Sequence, residues 1–322
     1  MVNHPDMEYR SLGKCGLKVS QYSLGGWTTF GQSVKELAEV KRILFTAFDR
    51  GINFFDIADV YGKGEAERVM GKALGELPRN ELIISSKVFF PYSNDVNDRG
   101  LSRKHIMESI QRSLKNIGTD YLDLYFCHRF DQDTPLEETA RAMDDLVHQG
   151  KVLYWGTSEW NGSQIQEIHR LCRELNLYRP QVEQPRYSLL LRRTFEQDVR
   201  PAALEHGMGL VTFSPLTFGF LTGKYDDGIP EESRLYREEW LRERVFTEEN
   251  FARVKRMKSL SERLGCSRAQ LALAWTSAQA GVGSVITGAT RVEQLQENLD
   301  ALKIRITEDI QQELTQLFPA GE

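Results

Sequence analysis

The stretch Asn53–Gly62, N-F-F-D-I-A-D-V-Y-G, decides how the rest of the chain is interpreted. A short apolar run with strand character ends abruptly at Asp56, and a polar loop delivers Tyr61 five residues later. A carboxylate at the end of a buried strand, with a phenol beside it, is unusual because Asp is rarely buried without a partner. If Asp56 were only a polar residue with its hydrogen bonds satisfied at a strand end, no later strand would be expected to end in a complementary charged group.

Two later apolar runs do end in groups that can be positively charged. Leu82–Lys87 (L-I-I-S-S-K) ends in an ammonium group, and Tyr121–His128 (Y-L-D-L-Y-F-C-H) ends in an imidazole. Together with the carboxylate and phenol of the first stretch, these groups form a proton-transfer set if the strand ends converge. The alternative is that they are unrelated polar residues at strand ends.

From Gln21 onward, eight strand-like runs alternate with helical segments. Val152–Thr157 is typical of the strands, and Val34–Arg50, with apolar side chains at i, i+3 and i+4, is typical of the helices. This alternation predicts right-handed βαβ units and a parallel sheet. Eight units favour a single α/β domain over residues 1–322, a (β/α)8 TIM barrel, which typically needs about 250 residues.

A closed barrel also supplies the missing geometry, because the C-terminal ends of all its strands lie on one face. Asp56, Lys87 and His128 end the second, third and fourth strands, so they are predicted to be neighbours on one rim. The competing open sheet would need a G-x-G-x-x-G turn after its first strand. The glycines of L-G-G-W-T-T-F-G, residues 24–31, have the wrong spacing for it.

Local signals predict further elements around the barrel. Tyr9–Leu12 and Leu17–Tyr22 flank a Gly-containing turn and predict an N-terminal β-hairpin, and Thr307–Phe318 is an extra C-terminal helix. Thr134–Glu137 and Thr290–Glu293 match capping boxes. Single N-caps are predicted at Ser102, Thr247 and Ser267.

Composition excludes several classes of protein. The net charge of −5 implies no basic face for nucleic acid, and no apolar run approaches the roughly 18 residues of a membrane helix. The N-terminus lacks the pattern of a signal peptide, and the four cysteines are scattered, which predicts a cytoplasmic protein with reduced thiols. No His spacing suggests a metal site.

The chain resembles the aldo-keto reductases, most closely the branch that holds the potassium-channel β subunits and related bacterial aldehyde reductases. The motifs that carry the resemblance are F-D-x-A-D-V-Y-G, S-S-K, D-L-Y-x-x-H-R-x-D, P-L-E-E-T, W-G-T-S, F-S-P-L, L-T-G-K-Y and Q-L-x-E-N-L. The resemblance implies an NADP-dependent oxidoreductase acting on CH–OH groups, with NADPH bound across the barrel mouth. It implies a catalytic tetrad of Asp56, Tyr61, Lys87 and His128.

The resemblance also implies which residues hold NADPH. Ser158 and Gln184 would bind the nicotinamide carboxamide, and Phe213 would stack on the nicotinamide ring. The other implied residues lie near the first two strands, in the loop after Phe213, and near the start of a late helix, where exposed N–H groups favour phosphate. They are Gly26, Trp27, Asp56, Ser214, Pro215, Leu216, Gly219, Lys224, Arg234, Gly288, Thr290, Gln294, Glu297 and Asn298.

Two departures from the family pattern fall in this set. Many members carry Asn or Arg after the Ser of W-G-T-S, where this chain has Glu159. The Arg that many members use against the adenosine 2′-phosphate corresponds to Gln294.

Trp27 is also a candidate for the substrate pocket, with simple core packing as the alternative. The Arg-rich stretch Arg234–Arg244 could be a lid or solvated charge.

The four tetrad residues can reduce a carbonyl group, which needs hydride on carbon and a proton on oxygen. A free phenol, with a pKa near 10, is a poor acid at neutral pH, but a nearby ammonium lowers that pKa. Lys87 would therefore tune Tyr61, and Asp56 would hold Lys87. His128 would orient the carbonyl oxygen with a hydrogen bond.

A regulatory protein that senses NADP redox state and binds a channel is the competing function. Channel subunits typically carry Asn where this chain has His128, and a long N-terminal extension where only about eight residues precede the hairpin. The branch commonly forms tetramers or larger rings, so a homo-oligomer is expected. Small carbonyl compounds are the expected substrates, and the sequence carries no code that selects among them.

Overall fold

The computed structural model describes residues 6–229, 231 and 245–320. Ten strands are found in this part of the chain, of which the first two form a hairpin and the other eight a closed barrel. The strands are β1 Tyr9–Ser11, β2 Lys18–Ser20, β3 Tyr22–Gly25, β4 Phe54–Asp56, β5 Ile83–Val88, β6 Leu122–Cys127, β7 Val152–Ser158, β8 Val182–Gln184, β9 Gly209–Thr212 and β10 Val282–Thr287.

The helices follow the strands around the barrel, as the alternation predicted. They are α1 Leu37–Asp49, α2 Glu65–Leu74, α3 Arg103–Ile117, α4 Leu136–His148, α5 Gly162–Glu174, α6 Arg200–Glu205, α7 Glu248–Arg263, α8 Arg268–Ser277, α9 Val292–Leu299 and α10 Glu308–Leu317. Short 3-10 or π-helical turns add to them, among them Phe195–Val199 before α6 and Thr217–Thr222 after β9. No helix in the described ranges is long and apolar enough to cross a membrane.

Closure of the barrel comes from β10, which pairs in parallel with both β9 and β3. Val285 belongs to both pairings and lies opposite Thr212 on β9 and Tyr22 on β3. The remaining strands pair in sequence order, each parallel to the next. The predicted (β/α)8 barrel, the N-terminal hairpin and the C-terminal helix are therefore confirmed.

The hairpin closes the end of the barrel opposite the strand C-termini. Leu12 and Val19 are fully buried and join the apolar side chains inside the barrel. Gly13 adopts φ +63°, and a Cβ there would lie 2.3 Å from the Gly209 backbone N, so only glycine fits this approach. Because this end is plugged, a ligand reaches the barrel from the other face.

Two apolar layers hold the fold together. One lies inside the barrel and includes Phe54, Leu124 and Phe126, and a larger one lies between the strands and the surrounding helices. Burying each such side chain stabilises the fold by about 1.5–3 kcal/mol. The rim of the barrel mouth is thus carried by a close-packed scaffold, which suits a site that needs fixed side-chain positions.

Both predicted capping boxes are wrong, whereas Ser102, Thr247 and Ser267 cap their helices as predicted. The Thr134 hydroxyl donates to Asp131 Oδ2 at 2.7 Å, and α4 begins after Pro135 without a side-chain cap. At the start of α9 the Thr290 N–H donates to Gln294 Oε1, one residue later than the expected Glu293. In each case a competing side chain within hydrogen-bond reach took the place of the predicted partner.

His169 on α5 is a buried imidazole that affects acid stability. Its ring stacks on His206 with centroids 4.3 Å apart and planes within 4°. Burial, with repulsion from His206 and Arg179, lowers the pKa of His169 to about 3. Because an unfolded His titrates near 6.5, the unfolded chain binds a proton between pH 3 and 6.5 that the folded chain does not. Stability therefore rises with pH in that window.

His169→Phe is expected to flatten the acid side of the stability profile. Between pH 7 and pH 5 the parent should lose about 2 kcal/mol more than this variant, because Phe keeps an apolar ring but binds no proton. Urea unfolding at the two pH values measures the difference. His148→Gln, at a largely exposed His on α4, is the matched control. Parallel profiles for parent and His169→Phe would rule out this effect.

Candidate active site

Three neighbouring strands deliver the predicted acid–base groups to one rim. Asp56 is the last residue of β4, Lys87 is the penultimate residue of β5, and His128 directly follows β6. Asp56 lies opposite Ser85 in the β4–β5 register, and Lys87 lies opposite Phe126 in the β5–β6 register. The strand ends therefore converge, as the barrel geometry predicted, instead of ending at unrelated places.

Asp56 and Lys87 form a buried ion pair. Lys87 Nζ donates to Asp56 Oδ2 at 2.7 Å and to the Ile57 carbonyl at 2.6 Å, and the Lys side chain is fully buried. The other oxygen of Asp56 accepts from Ser85 Oγ and from Gln184 Nε2, both at 2.8 Å. Burial lowers the pKa of Lys87 below its ordinary value, and Asp56 opposes that shift. The site thus holds an ammonium that is less basic than a free lysine.

Tyr61 completes the group from the loop after β4. Lys87 Nζ lies 4.9 Å from the centroid of the Tyr61 ring, and the Tyr61 and His128 rings are 5.9 Å apart at 74°. Trp27 stacks on Tyr61 at 6.4 Å, and Phe218 meets Trp27 edge-on at 5.6 Å. A phenol beside an ammonium and an imidazole, under two aromatic rings, is an arrangement suited to proton transfer in an apolar pocket.

His128 is held as a neutral imidazole. Burial first, then the charges of Lys87 and Arg129, lower its pKa well below the ordinary value for His. Its Nδ1 is buried and has no hydrogen-bond partner in the described part of the chain. A neutral imidazole carries one N–H, so it can donate a hydrogen bond to a substrate oxygen without supplying a formal charge.

A second carboxyl group lies behind the ion pair. Asp59 is fully buried, and burial together with Glu67 raises its pKa well above the ordinary value. Glu67, also buried, accepts from Ser86 Oγ at 2.7 Å and from Asn116 Nδ2 at 2.8 Å. The ion pair of Lys87 is made with Asp56 and not with Asp59. The signal in the sequence is the D-x-x-D spacing of Asp56 and Asp59.

The predicted nicotinamide residues lie on the next arc of the rim. Ser158 ends β7 and donates through Oγ to the Gln184 carbonyl at 3.0 Å. Gln184 ends β8, and its amide already donates to Asp56, so it joins this arc to the ion pair. Phe213 follows β9, with the Arg186 guanidinium 5.4 Å from its ring centroid.

Glu159, the departure from the family pattern, is paired within the chain. It adopts φ +57°, which non-glycine residues seldom do, and its Oε1 accepts the Arg186 N–H at 2.7 Å. Its other oxygen lies 3.5 Å from the Arg186 guanidinium. The carboxylate is thus neutralised by a group that also covers Phe213.

The loop after β9 has an unusual backbone. Ser214, Thr217 and Phe218 all have positive φ, at 57°, 46° and 58°, and Gly219 follows at 90°. Non-glycine residues held in this region cost of order 1–3 kcal/mol each and cluster at ligand sites. A Cβ on Gly219 would lie 2.8 Å from Lys224 Nζ, so the ammonium covers this glycine. A cation over a tightly turned loop is suited to an anionic group.

The N-terminal part of α9 lies after β10, beside that loop in the barrel order. The Thr290 N–H donates to Gln294 Oε1 at 2.9 Å, and Asn298 Nδ2 donates to the Gly288 carbonyl at 3.1 Å. The Glu297 carbonyl accepts from Gln270. The predicted residues of this part of the chain therefore follow two strands that pair with each other, β9 and β10, whereas Arg234 lies outside the described residues.

Comparison with known proteins gives the family. The family model described as "Aldo/keto reductase family" matches residues 22–318, nearly the whole chain. The chain belongs to the aldo/keto reductase family. Membership supports oxidoreductase activity, and members generally use NAD(P)H.

Several curated relatives of this reductase-family chain are named as channel subunits. A "Probable voltage-gated potassium channel subunit beta" of Arabidopsis thaliana is 46% identical over 303 residues, covering 92% of each chain. A "Putative voltage-gated potassium channel subunit beta" of Schizosaccharomyces pombe is 41% identical over 322 residues, covering 97% of this chain and 94% of the relative. The predicted branch of the aldo/keto reductases is therefore confirmed.

The residues of this aldo/keto reductase barrel fit a nicotinamide dinucleotide, because they offer donors to phosphates and an aromatic face. The left-handed loop with Lys224 and the N-terminal part of α9 offer cationic and N–H donors to phosphates. Phe213 offers an aromatic face, and Ser158 and Gln184 offer polar groups beside the ion pair. Among the described residues, no group of three or more His, Cys, Asp or Glu is suited to a metal ion.

Gly26 and Trp27 are placed at the same rim by packing. The Gly26 N–H donates to the Asp56 carbonyl at 2.8 Å, and a Cβ on Gly26 would lie 2.7 Å from Met70 Sδ. This close approach explains the glycine without a ligand. Trp27 stacks on Tyr61 and also packs against the apolar core, so its place in the substrate pocket stays a prediction.

Proposed function

We propose that this protein reduces aldehydes or ketones to alcohols with NADPH. The observation that carries the proposal is the buried Asp56–Lys87 pair, whose ammonium lies 4.9 Å from the Tyr61 ring centroid and beside a neutral His128. This combination of a phenol, a desolvated ammonium and an N–H donor supplies the proton and the oxygen-binding group that carbonyl reduction requires. The nicotinamide, when bound, supplies the hydride.

Each residue of the group has a separate task. Lys87 stabilises the phenolate that remains when Tyr61 gives its proton to the substrate oxygen. Asp56 keeps the ammonium in place, and Ser85 and Gln184 hold Asp56 through its second oxygen. His128 orients the carbonyl oxygen by donating one hydrogen bond, which places the oxygen near the phenol.

The pocket walls support the same chemistry. Trp27, Phe218 and Phe90 surround the acid–base groups with aromatic rings. In such a low-dielectric pocket the interaction between an ammonium and a developing phenolate is stronger than in water. A panel of small aldehydes, methylglyoxal and short sugar or aromatic aldehydes included, followed at the NADPH absorbance, tests the proposal. Turnover on none of them would contradict it.

The cofactor-binding residues are proposed to be those that the family pattern implies. Ser158 and Gln184 hold the carboxamide, and Phe213 stacks on the nicotinamide ring. Ser214, Pro215 and Leu216 begin the loop that carries the pyrophosphate, with Gly219 further along it. The adenosine 2′-phosphate is surrounded by Lys224, Arg234, Thr290 and Gln294, with Gly288, Glu297 and Asn298 in the same N-terminal region of α9. The contacts of Lys224 and the N-terminal part of α9 support this set.

NADPH is expected to bind well over ten-fold more tightly than NADH. A ten-fold preference corresponds to about 1.4 kcal/mol, which charge-assisted hydrogen bonds to the 2′-phosphate readily supply. A fluorescence titration of the two nucleotides measures the ratio, and Arg234→Ala should narrow it. Equal affinities for NADPH and NADH would contradict the assignment of these residues to the 2′-phosphate. An unchanged affinity ratio in Arg234→Ala would mean that the Arg-rich stretch carries solvated charge and does not bind the cofactor.

A second candidate function is regulatory, in the manner of the relatives' printed names. The identity of 41–46% to proteins named as potassium channel β subunits favours a barrel that senses NADP redox state and binds a channel. His128, with its buried donor position, favours the enzyme. Tight NADPH binding without turnover on any aldehyde would favour the regulatory function.

A homo-oligomer, a tetramer or larger, is proposed from the same branch, with residues 1–322 forming one barrel domain. Light scattering at micromolar concentration is expected to give a mass several times that of the 37.0 kDa chain. A monomer mass at that concentration would contradict the assembly, although a barrel of this size buries a sufficient core alone. The cytoplasmic location stays a prediction.

A further inference from the structure

Arg129 is a cation at the barrel mouth to which the proposed tetrad and cofactor set give no role. It directly follows His128, and its guanidinium NH1 donates to the His128 carbonyl at 2.5 Å. The guanidinium lies 5.5 Å from the Phe90 ring centroid, and the His128 ring meets the same Phe90 edge-on at 5.0 Å. Arg129 and His128 thus share one aromatic wall.

The charge of Arg129 is not cancelled by its surroundings. No carboxylate in the described ranges forms an ion pair with it. The nearest acid in sequence, Asp131, accepts hydrogen bonds from the Leu101 N–H and the Thr134 hydroxyl, both at 2.7 Å. The charge of Arg129 acts on the proposed catalytic groups, since it contributes to lowering the pKa of His128 and that of Lys87. An unpaired cation therefore stands beside the position of the substrate oxygen.

The position of Arg129 in the barrel separates it from the proposed cofactor phosphates. These are assigned to the loops after β9 and β10, whereas Arg129 follows β6, on the opposite arc of the closed strand order. A guanidinium has further N–H donors in a planar fork that matches a carboxylate or a phosphate. The partner of Arg129 is thus expected on the substrate side of the pocket.

We propose that Arg129 binds an anionic group of the substrate, so that the preferred substrates are short aldehydes or ketones that carry a carboxylate or a phosphate. This inference rests on the proposed carbonyl reduction and names its substrate class. His128 and Tyr61 take the carbonyl oxygen, and Arg129 takes the anionic end of the same molecule. Phe90 holds the guanidinium plane and gives the short carbon chain an apolar surface.

Two pairs of matched substrates test the charge. In the carboxylate arm of the experiment, turnover of succinic semialdehyde is compared with turnover of neutral pentanal. In the phosphate arm, glyceraldehyde 3-phosphate is compared with neutral glyceraldehyde. The parent should prefer the anionic member of at least one pair by at least about ten-fold in kcat/KM, because charge-assisted hydrogen bonds discriminate at that level. The arm with the larger preference identifies the anion.

Arg129→Gln should remove the preference by raising KM for the anionic member at least about ten-fold more than KM for the neutral member. Arg129→Lys keeps a point charge and should give an intermediate preference. Succinate should inhibit the parent competitively and Arg129→Gln much more weakly. Arg42→Gln, which removes an exposed charge on α1, is the matched control and should change none of these values.

The outcomes separate the two proposals. Equal turnover of neutral and anionic members by the parent overturns the role of Arg129 and leaves carbonyl reduction standing. A parallel loss on both members in Arg129→Gln, with Arg129→Lys failing to restore the preference, makes Arg129 a structural residue that packs on Phe90. Failure of the parent to reduce these four compounds and every aldehyde of the panel overturns the proposed reduction itself.

Discussion

Tyr61→Phe is expected to lower the turnover of aldehydes by at least about 10²-fold, since general-acid catalysis typically contributes 10²–10⁴-fold. Phe keeps the ring that stacks on Trp27 and faces Lys87, so the pocket should keep its shape. Without the phenol, the carbonyl oxygen must take its proton from water. NADPH affinity, measured by fluorescence, should stay within a few-fold of the parent.

A second tyrosine supplies the control for this change. Tyr178→Phe removes a phenol from a half-exposed ring that lies away from the barrel mouth and should leave kcat unchanged. Wild-type turnover by Tyr61→Phe would show that the phenol is not the acid, and the assignment of the tetrad would fail. A loss of NADPH binding in the same variant would instead indicate a collapsed pocket.

Lys87→Met is expected to damage both turnover and stability. The phenol loses the ammonium that makes it a usable acid, so turnover should fall by a factor similar to that of Tyr61→Phe. The Asp56 carboxylate is left buried without its counter-charge, and breaking such a pair costs about 3–5 kcal/mol. Aldehyde kinetics and urea unfolding of the same preparation measure the two effects.

The double variant Lys87→Met/Asp56→Asn separates the two effects of that change. Asn leaves no buried charge and can still accept the hydrogen bonds from Ser85 and Gln184, so much of the stability should return. Activity should stay low, because the ammonium is still absent. Lys41→Met, at a partly exposed pair with Glu76, is the control and should cost little. Full activity in the double variant would contradict the role of Lys87.

The fold could be predicted because its signals are local and repeated. Apolar periodicity gave eight strand–helix units, and the connection rules for parallel strands left a closed barrel as the simplest arrangement. The convergence of Asp56, Lys87 and His128 then followed from the common direction of the strands. Tyr61 needed only its short distance from Asp56 along the chain.

Contacts between distant residues could not be predicted in the same way. The bond from Gln184 to Asp56 joins residues 128 positions apart, on strands that face one another across the barrel. The raised pKa of Asp59 depends on burial against Glu67, and neither is visible in a list of residue types. Arg129 was part of a recognised motif, but its unpaired state became visible only once its neighbours were placed.

Backbone conformation and helix capping were the other limits. Thr217 and Phe218 adopt positive φ although β-branched and aromatic side chains disfavour it, so the shape of the loop after β9 contradicts local preference. Thr134 matched a capping box, yet Asp131 captured its hydroxyl from three residues upstream. Which side chain accepts such a hydrogen bond depends on three-dimensional distances, and the spacing of residues along the sequence does not give them.

Hydride transfer can be followed directly with NADPH that carries deuterium at the transferable position of the nicotinamide. If the protein is a carbonyl reductase with Tyr61 as its acid, the alcohol formed from an aldehyde will carry that deuterium on the former carbonyl carbon. The label will appear at least about 10²-fold more slowly with Tyr61→Phe. Tight binding of NADPH with no deuterium in any alcohol, across the whole panel of aldehydes, would contradict the proposed reduction.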